Sequence, residues 1–217
     1  MVEQESRMEK KKREIKRHIL EVCEQLFVFE KSFENVTMRE IAQRAGVSVG
    51  SLYLHYRTRE DILTTIISEF LKRHLEQMRA ILEVQPSGIT KLTRLFDYFC
   101  DMSADPYVTV FARIQLSYIT LPKILKTESS STLRMLLGDL VDLVEEILSL
   151  GQKDHTLYLC DSPKMAANTL MRLMISLFQS SGMIQNELIP LPPGEVDPGP
   201  AGAFLMLKKY LLRSFFP

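Results

Sequence analysis

The sequence is poor in several features that would direct it to a particular class of protein. Trp is absent, and only nine of the 217 residues are Gly. The three cysteines, Cys23, Cys100 and Cys160, are far apart and follow no metal-ligand spacing, so neither a disulfide framework nor a zinc site is expected. We expect three free thiols, no metal and no cofactor.

Long, uninterrupted apolar runs are also missing. The most apolar stretch, residues 165–184, contains Asn168, Arg172 and Gln179, which favours a buried helix over a membrane span. The N-terminus is charged rather than apolar, unlike a secretory signal. These features predict a protein of the cytoplasm with no membrane partner.

Motifs typical of catalysis are absent as well. The chain contains no GxSxG, P-loop or HExxH motif. The four histidines, His18, His55, His74 and His155, have no nucleophile or carboxylate at a recognisable spacing. We therefore expect no catalytic residues and no enzymatic activity.

Charge is balanced over the whole chain but concentrated locally. There are 27 basic and 27 acidic residues, for a net charge of zero. Between Arg7 and Arg17, however, seven basic residues stand against two acidic ones, which leaves +5 in eleven residues. Local clustering of this kind attracts phosphate. The alternative interpretation is a frayed, solvated N-terminal tail.

The patterns along the chain are helical. Ile15, Ile19, Val22 and Leu26 follow one stripe of a period of about 3.6 residues, which indicates an amphipathic helix. Pro and Gly interrupt the later pattern, with a domain boundary expected near 86–88 and an extended loop at 190–200. The predicted helices are 10–30, 38–45, 48–53, 59–83, 88–104, 106–118, 123–150, 162–187 and 202–215.

Two of these helices are short and separated by a tight turn. Thr37 and Glu40 form a capping-box pattern at the first, and Gly46 suits the left-handed position that ends it. Ser48 is a good N-cap for the second. Because a longer helix flanks the pair on each side, the arrangement predicts a helix-turn-helix.

The run TMREIAQRAGVSVGSLYLHYRTREDIL at 37–63, preceded by ILEVCEQLF at 19–27, resembles the TetR family of bacterial transcriptional regulators. The match covers roughly the first third of the chain. Cys23 stands where the family has Ala, Tyr56 where it has Phe, Arg59 where it has Lys, and Ser32 where it often has Gly. Each of the first three departures is conservative in size or charge.

The resemblance implies which residues contact DNA. Thr37 and Ser48 stand at helix N-termini, whose free N–H groups suit a phosphate. Tyr53, His55 and Arg59 take the positions of phosphate contacts in the family. The positions that face base edges correspond to Arg39, Val49, Gly50 and Ser51. Among these, Arg39 is the candidate for a bidentate contact with guanine.

The family also implies an all-α fold in two parts. A three-helix DNA-binding domain with the helix-turn-helix, residues 1–62 including the basic N-terminal arm, is joined by the fourth helix to a ligand-binding and dimerisation domain, residues 63–217. Dimerisation through the last two helices fits their apolar composition. The interface residues expected there are Met171, Met174, Phe178, Leu205 and Leu212.

The resemblance further implies a small-molecule inducer that releases a repressor from a palindromic operator. A hydrophobic or amphipathic inducer is favoured, because no cluster of charges marks the helices that would surround it. The alternative for each candidate residue is ordinary helical core. The candidate lining residues are Phe70, His74, Met78, Phe96, Phe99, Phe111 and Tyr118.

Two other classes of function remain open on the residues alone. A sequence-neutral DNA-binding protein would be expected to be basic throughout, whereas this chain is neutral. A helical protein-interaction module leaves the capped, Gly-turned pair of short helices unexplained. The operator, the inducer and the regulated genes are not determined by the sequence.

Overall fold

The structure is a computed structural model that describes residues 7–30, 33–103, 105, 107–108, 121–124, 126–127, 129–159, 161–185, 194 and 199–214. The described residues form helices and turns without strands, which confirms the all-α class. Among them, no helix is both long enough and apolar enough to cross a membrane. The helices are α1 Arg7–Gln25, α2 Met38–Arg44, α3 Val49–His55, α4 Arg59–Glu83, α5 Gly88–Met102, α6 Leu121–Ile124, α7 Ser130–Lys153, α8 Pro163–Gln185 and α9 Gly199–Ser214.

The predicted helix bounds agree with the structure within a few residues in the first half of the chain. The helix predicted over 10–30 is α1 followed by a π-helical turn, Leu26–Glu30, and the chain then makes a 3-10 turn at Phe33–Asn35.

Two predictions about the second half of the chain were wrong. The helix predicted over 123–150 is interrupted, because the Thr127 hydroxyl donates to the Ile124 carbonyl at 2.8 Å and ends α6 before α7 begins. Helix α9 begins at Gly199, inside the segment predicted as a loop. The predicted helix 106–118 and most of the loop 190–200 lie outside the described residues.

Two hydrophobic cores organise the molecule. The first lies in the part we call the head (residues 7–67). It contains side chains of α1, α2, α3 and the first turns of α4, among them Ile19 and Leu52. The second, in the part we call the body (residues 68–214), joins the rest of α4 to α5, α7, α8 and α9. The predicted domain boundary falls between residues 62 and 63, but Ile62 and Leu63 of α4 are both buried in the head core.

In the body, the start of α5 packs directly against the end of α7. A Cβ added to Gly88 would lie 2.1 Å from the Gly151 Cα, so the two backbones are in direct contact. The Asp154 carboxylate accepts from the Gly88 N–H at 2.8 Å, and the Thr156 hydroxyl accepts from the Ile89 N–H at 3.1 Å. These bonds satisfy amides that a helix N-terminus leaves open.

Candidate functional site

The helix-turn-helix is built by local capping bonds. The Thr37 hydroxyl accepts from the Glu40 N–H at 3.2 Å and begins α2. Gly46 adopts φ +63, the left-handed conformation that ends a helix and favours glycine. The Ser48 hydroxyl then accepts from the Ser51 N–H at 3.0 Å and begins α3. The capping expected from the sequence therefore sets where both short helices start.

Helix α3 presents an exposed face beside its buried Leu52. Tyr53 is 51% exposed, and Val49 lies partly exposed one turn earlier. A Cβ on Gly50 would meet nothing closer than the Ser48 hydroxyl at 4.0 Å, so the fold itself does not require glycine there. This face can approach a partner surface closely at its glycine and make apolar contact around it.

A shallow, open depression, which we call the notch, lies beside the N-termini of α2 and α4. Its volume is about 500 Å³. Thr37, Arg39 and Tyr53 are three of the predicted DNA contacts that line it, and Arg57 adds a second cation. The combination of cations, a phenol and a helix N-terminus has the chemistry that binds phosphate.

Arg59 also borders the notch, but its guanidinium is held by the protein's own backbone. One Nη donates to the carbonyls of Phe33, Glu34 and Val36 at 3.1, 2.8 and 2.8 Å. The guanidinium carbon lies 4.8 Å from the Phe33 ring centroid. The structure thus gives Arg59 a bracing role at the turn before α2, which sequence reasoning missed because the partners are backbone atoms more than twenty residues away.

His55 lies at the end of α3 beside basic residues of α1. Burial lowers the pKa of His55, and the nearby charges of Lys12 and Lys16 lower it further. Lys16 Nζ stands 5.4 Å from the centroid of the Tyr56 ring. Tyr56 is buried, as its position in the motif implies, and its hydroxyl has no hydrogen-bond partner among the described residues.

The predicted ligand residues separate into two groups. Phe70 and His74 lie together on α4, with ring centroids 4.1 Å apart. His74 Nδ1 is 2.7 Å from the Tyr98 hydroxyl, and Phe70 stacks on Tyr107 at 6.0 Å. The two tyrosines were not predicted, since nothing in the sequence places them beside α4.

The second group lies on α5. Phe96 and Phe99 are buried, and the Phe99 ring stacks on Phe204 of α9 with centroids 5.9 Å apart. Met78 is buried in the same body core. Phe111 and Tyr118 lie outside the described residues. The predicted ligand residues therefore remain predictions, and those that are described belong to the body core or to its polar edge.

The residues predicted for the dimer interface occupy different environments. Met171 and Met174 are buried within the subunit's own core against α7, so the prediction that they meet a partner is corrected. Leu205 on α9 is 60% exposed and remains a prediction. The side chains of Phe178 and Leu212 are not among those described. Other large apolar side chains exposed on α8 and α9 are those of Met165, Leu173, Met206 and Tyr210.

Tyr107 and the segment around α6 connect the body to the head. The Tyr107 hydroxyl donates to Glu24 Oε2 of α1 at 3.2 Å. Burial raises the pKa of Glu24, while the bond from Tyr107 acts in the opposite direction. Ile124 of α6 is buried in the head core, and the Thr127 hydroxyl bonds to that of Thr64 at 3.2 Å. Helix α4 is therefore not the only connection between the two parts.

The sequence similarities to known proteins involve the head. Residues 19–66 match the family described as bacterial regulatory proteins, tetR family. A curated relative, the HTH-type transcriptional repressor KstR2 of Mycolicibacterium smegmatis, is 31% identical over 78 residues, which are 36% of this chain and 38% of that protein. The chain spans about half or less of the length of the curated relatives it first matches.

Solved structures share the fold along nearly the whole chain. A regulator of the TetR/AcrR family from Thermobifida fusca matches with a TM-score of 0.68 and 19% identity, covering 94% of this chain and 100% of that one. The transcriptional regulator FadR of Bacillus subtilis, solved in complex with stearoyl-CoA, matches with a TM-score of 0.64 and 16% identity, covering 92% and 96%. The similarity to the TetR family of bacterial regulatory proteins thus rests on residues 19–66 by sequence, and solved structures share the fold along nearly the whole chain.

Proposed function

We propose that this protein is a transcriptional repressor that binds a palindromic operator as a homodimer and is released by a small ligand. The observation that carries the proposal is the head. Its exposed recognition face on α3 lies beside a notch of about 500 Å³ lined by Arg39, Tyr53 and Arg57. In this role the protein acts on cytoplasmic DNA and performs no catalysis.

The proposed contacts divide into two kinds. Thr37, Ser48, Tyr53 and His55 face phosphates and position the head, whereas Arg39 with Val49, Gly50 and Ser51 faces base edges. Arg39 is exposed at the rim of the notch, and its bidentate contact with guanine would give about 1–3 kcal/mol of discrimination. Arg59 supports the site by bracing the chain just before Thr37.

The dimer would place two heads on one face of the DNA. Leu173 of α8 and Leu205, Met206 and Tyr210 of α9 are exposed apolar side chains that a second copy would cover. A two-fold arrangement presents two recognition helices about 34–36 Å apart, which matches a palindrome.

Release would act through the two connections between body and head. A ligand that enters beside Phe70 and His74 displaces α4, which continues into the head. The same ligand perturbs Tyr107, which stacks on Phe70 and bonds to Glu24 of α1. If the two heads then change their spacing, the operator-bound population falls.

We propose an acyl-CoA, an amphipathic molecule, as the ligand class. The related B. subtilis regulator was solved with stearoyl-CoA. In this chain the rings of Phe70 and Tyr107 adjoin the polar pair of His74 and Tyr98, which offers both apolar and hydrogen-bonding contacts. Burial lowers the pKa of His74, which favours the neutral ring as a hydrogen-bonding group beside Tyr98.

Enrichment of bound molecules from a pool of random duplex DNA tests the operator proposal. We expect a palindromic sequence with half-sites about one helical turn apart. Arg39→Met should lower the preference for that sequence by about 1–3 kcal/mol per half-site and relax it at the base that Arg39 contacts. Enrichment of no sequence by ligand-free protein would contradict the proposal and favour a sequence-neutral or protein-binding module.

Calorimetric titration and thermal unfolding test the ligand class. Stearoyl-CoA and shorter acyl-CoAs should bind, whereas CoA alone and free fatty acid should bind more weakly. At one hundred times its Kd, a ligand of the folded state adds about 2.7 kcal/mol of stability. Phe70→Ala should weaken binding, with Met135→Ala, at an exposed position, as the control. Tight binding that leaves operator affinity unchanged would contradict ligand release.

A further inference from the structure

The N-terminal half of α1 stands clear of the head core. Residues 7–14 are exposed, and the first buried side chain of the helix is that of Ile19. At about 1.5 Å per residue, the segment before Ile19 extends about 18 Å. A helix that is polar on all faces needs its own ion pairs or a partner to remain helical.

The charge of this segment indicates the chemistry of such a partner. Seven basic residues against two acidic ones between Arg7 and Arg17 make it the most positive stretch of the chain. Lys12 and Lys16 lie one turn apart on the same face, where like charges repel. An anion placed beside both would remove that repulsion and favour the helix.

The two lysines face the end of the recognition helix. Lys16 Nζ stands over the Tyr56 ring at 5.4 Å, next to His55. Lys12, one turn nearer the N-terminus, adds its charge to the environment of the His55 ring. Tyr53 is exposed on α3 one turn before Tyr56. Lys12 and Lys16 therefore lie near the C-terminal end of α3, beside His55.

We propose that Lys12 and Lys16 contact phosphates of the DNA strand that Tyr53 and His55 face, so that the DNA-binding surface extends from α3 along α1. This inference rests on the proposed function. Such contacts add affinity without adding sequence preference.

The test compares the salt dependence of DNA binding by the full-length protein. Two fluorescent duplexes are used, one with the sequence enriched by the wild type and one of random sequence. Each lost phosphate contact lowers the slope of log K against log salt by about 0.9. Lys12→Gln with Lys16→Gln removes four charges per homodimer, so the slope should fall by up to about 3.6 on both duplexes. Lys12→Arg with Lys16→Arg should keep the wild-type slope.

A matched control separates local contact from general charge. Lys123→Gln with Lys126→Gln removes the same charge at two exposed positions around α6 and should keep the wild-type slope. Circular dichroism checks that each variant keeps its helix content, since Gln and Lys have similar helix propensity.

Two outcomes would overturn the inference alone, and a third would overturn it together with the proposed function. An unchanged slope for the α1 variant, or an equal loss for the α6 control, would mean that these lysines do not contact DNA. Arg39→Met should lower the preference between the two duplexes and should change the slope less than the α1 variant does. Failure of the wild type to bind either duplex would instead overturn the proposed function together with this extension of it.

Discussion

The head and the body of this protein are specified by their sequences in different ways. The head matches the TetR family pattern over residues 19–66, and its α2, α3 and α4 each begin with a side-chain cap. The body shares its fold with solved structures that are only 16–19% identical over more than nine tenths of the chain. Short helices and DNA contacts require particular residues, whereas long amphipathic helices require only an apolar face.

The largest effect on stability is expected in the body, where two backbones touch. Gly88→Ala places a methyl 2.1 Å from the Gly151 Cα, so α5 and α7 must separate. We expect a loss near the upper end of the roughly 1–3 kcal/mol that overpacking costs. Thermal unfolding measures it. Gly138→Ala is the control, because its methyl meets open space within α7 and should add about 0.5–1 kcal/mol. Equal stability of the two variants would contradict the contact.

The corresponding weak point of the head is Arg59. Arg59→Met removes charge-assisted hydrogen bonds to three carbonyls and should lower the free energy of unfolding by about 1.5–3 kcal/mol. Arg39→Met, on the exposed rim of the same notch, should change stability by less than about 0.5 kcal/mol. Chemical denaturation distinguishes the two. An unchanged stability for Arg59→Met, with weakened DNA binding, would restore the phosphate-contact role that the resemblance implies.

Ser48 combines stability and binding in one side chain of the head. Ser48→Ala should cost about 1 kcal/mol, because the Ser51 N–H loses its acceptor. Ser48→Asp keeps a capping oxygen and should keep the stability, but its charge should repel the phosphate and weaken DNA binding far more than Ser48→Ala does. Comparison of thermal unfolding with fluorescence anisotropy on duplex DNA checks both parts. Strong DNA binding by Ser48→Asp would place α3 away from the phosphates.

The His55 ring should make DNA binding depend on pH. In the free protein the pKa of His55 is lowered, so the ring is neutral near pH 7. A phosphate beside it favours the protonated ring and raises the pKa in the complex. Affinity should therefore rise as the pH falls toward the pKa of the free protein, by a factor of about ten for each unit of difference. A flat profile for the wild type, or the same profile for His55→Gln, would remove His55 from the interface.

The smallest effect is expected at Tyr56, where the chain departs from its family. Burial and the charge of Glu69 raise the pKa of Tyr56, and its hydroxyl has no partner among the described residues. Tyr56→Phe should therefore be neutral or stabilising by about 1 kcal/mol or less, since it removes a buried, unsatisfied donor. Thermal unfolding measures the change, with Tyr158→Phe at an exposed position as the control. A clear loss of stability would mean that the hydroxyl is bonded in solution.

Prediction from the sequence succeeded where structure depends on near neighbours. The Thr37 and Ser48 caps and the left-handed Gly46 lie within four residues of the groups they satisfy, so the local sequence pattern contains the whole interaction. It was less successful where the partner is remote. Met171 and Met174 were predicted to meet a second copy, but α7 covers them within the subunit.

The sequence by itself determined the helical class and the helix-turn-helix, and it carries the resemblance to the TetR family over residues 19–66. The spacing of apolar residues and the capping residues lie within short stretches of sequence, so these properties can be predicted from local patterns. Only the tertiary structure decided that Arg59 bonds to the turn before α2, that Tyr107 reaches Glu24, and that Ile124 completes the head core. Each joins residues more than twenty positions apart, and their approach depends on how all the helices pack rather than on any local pattern.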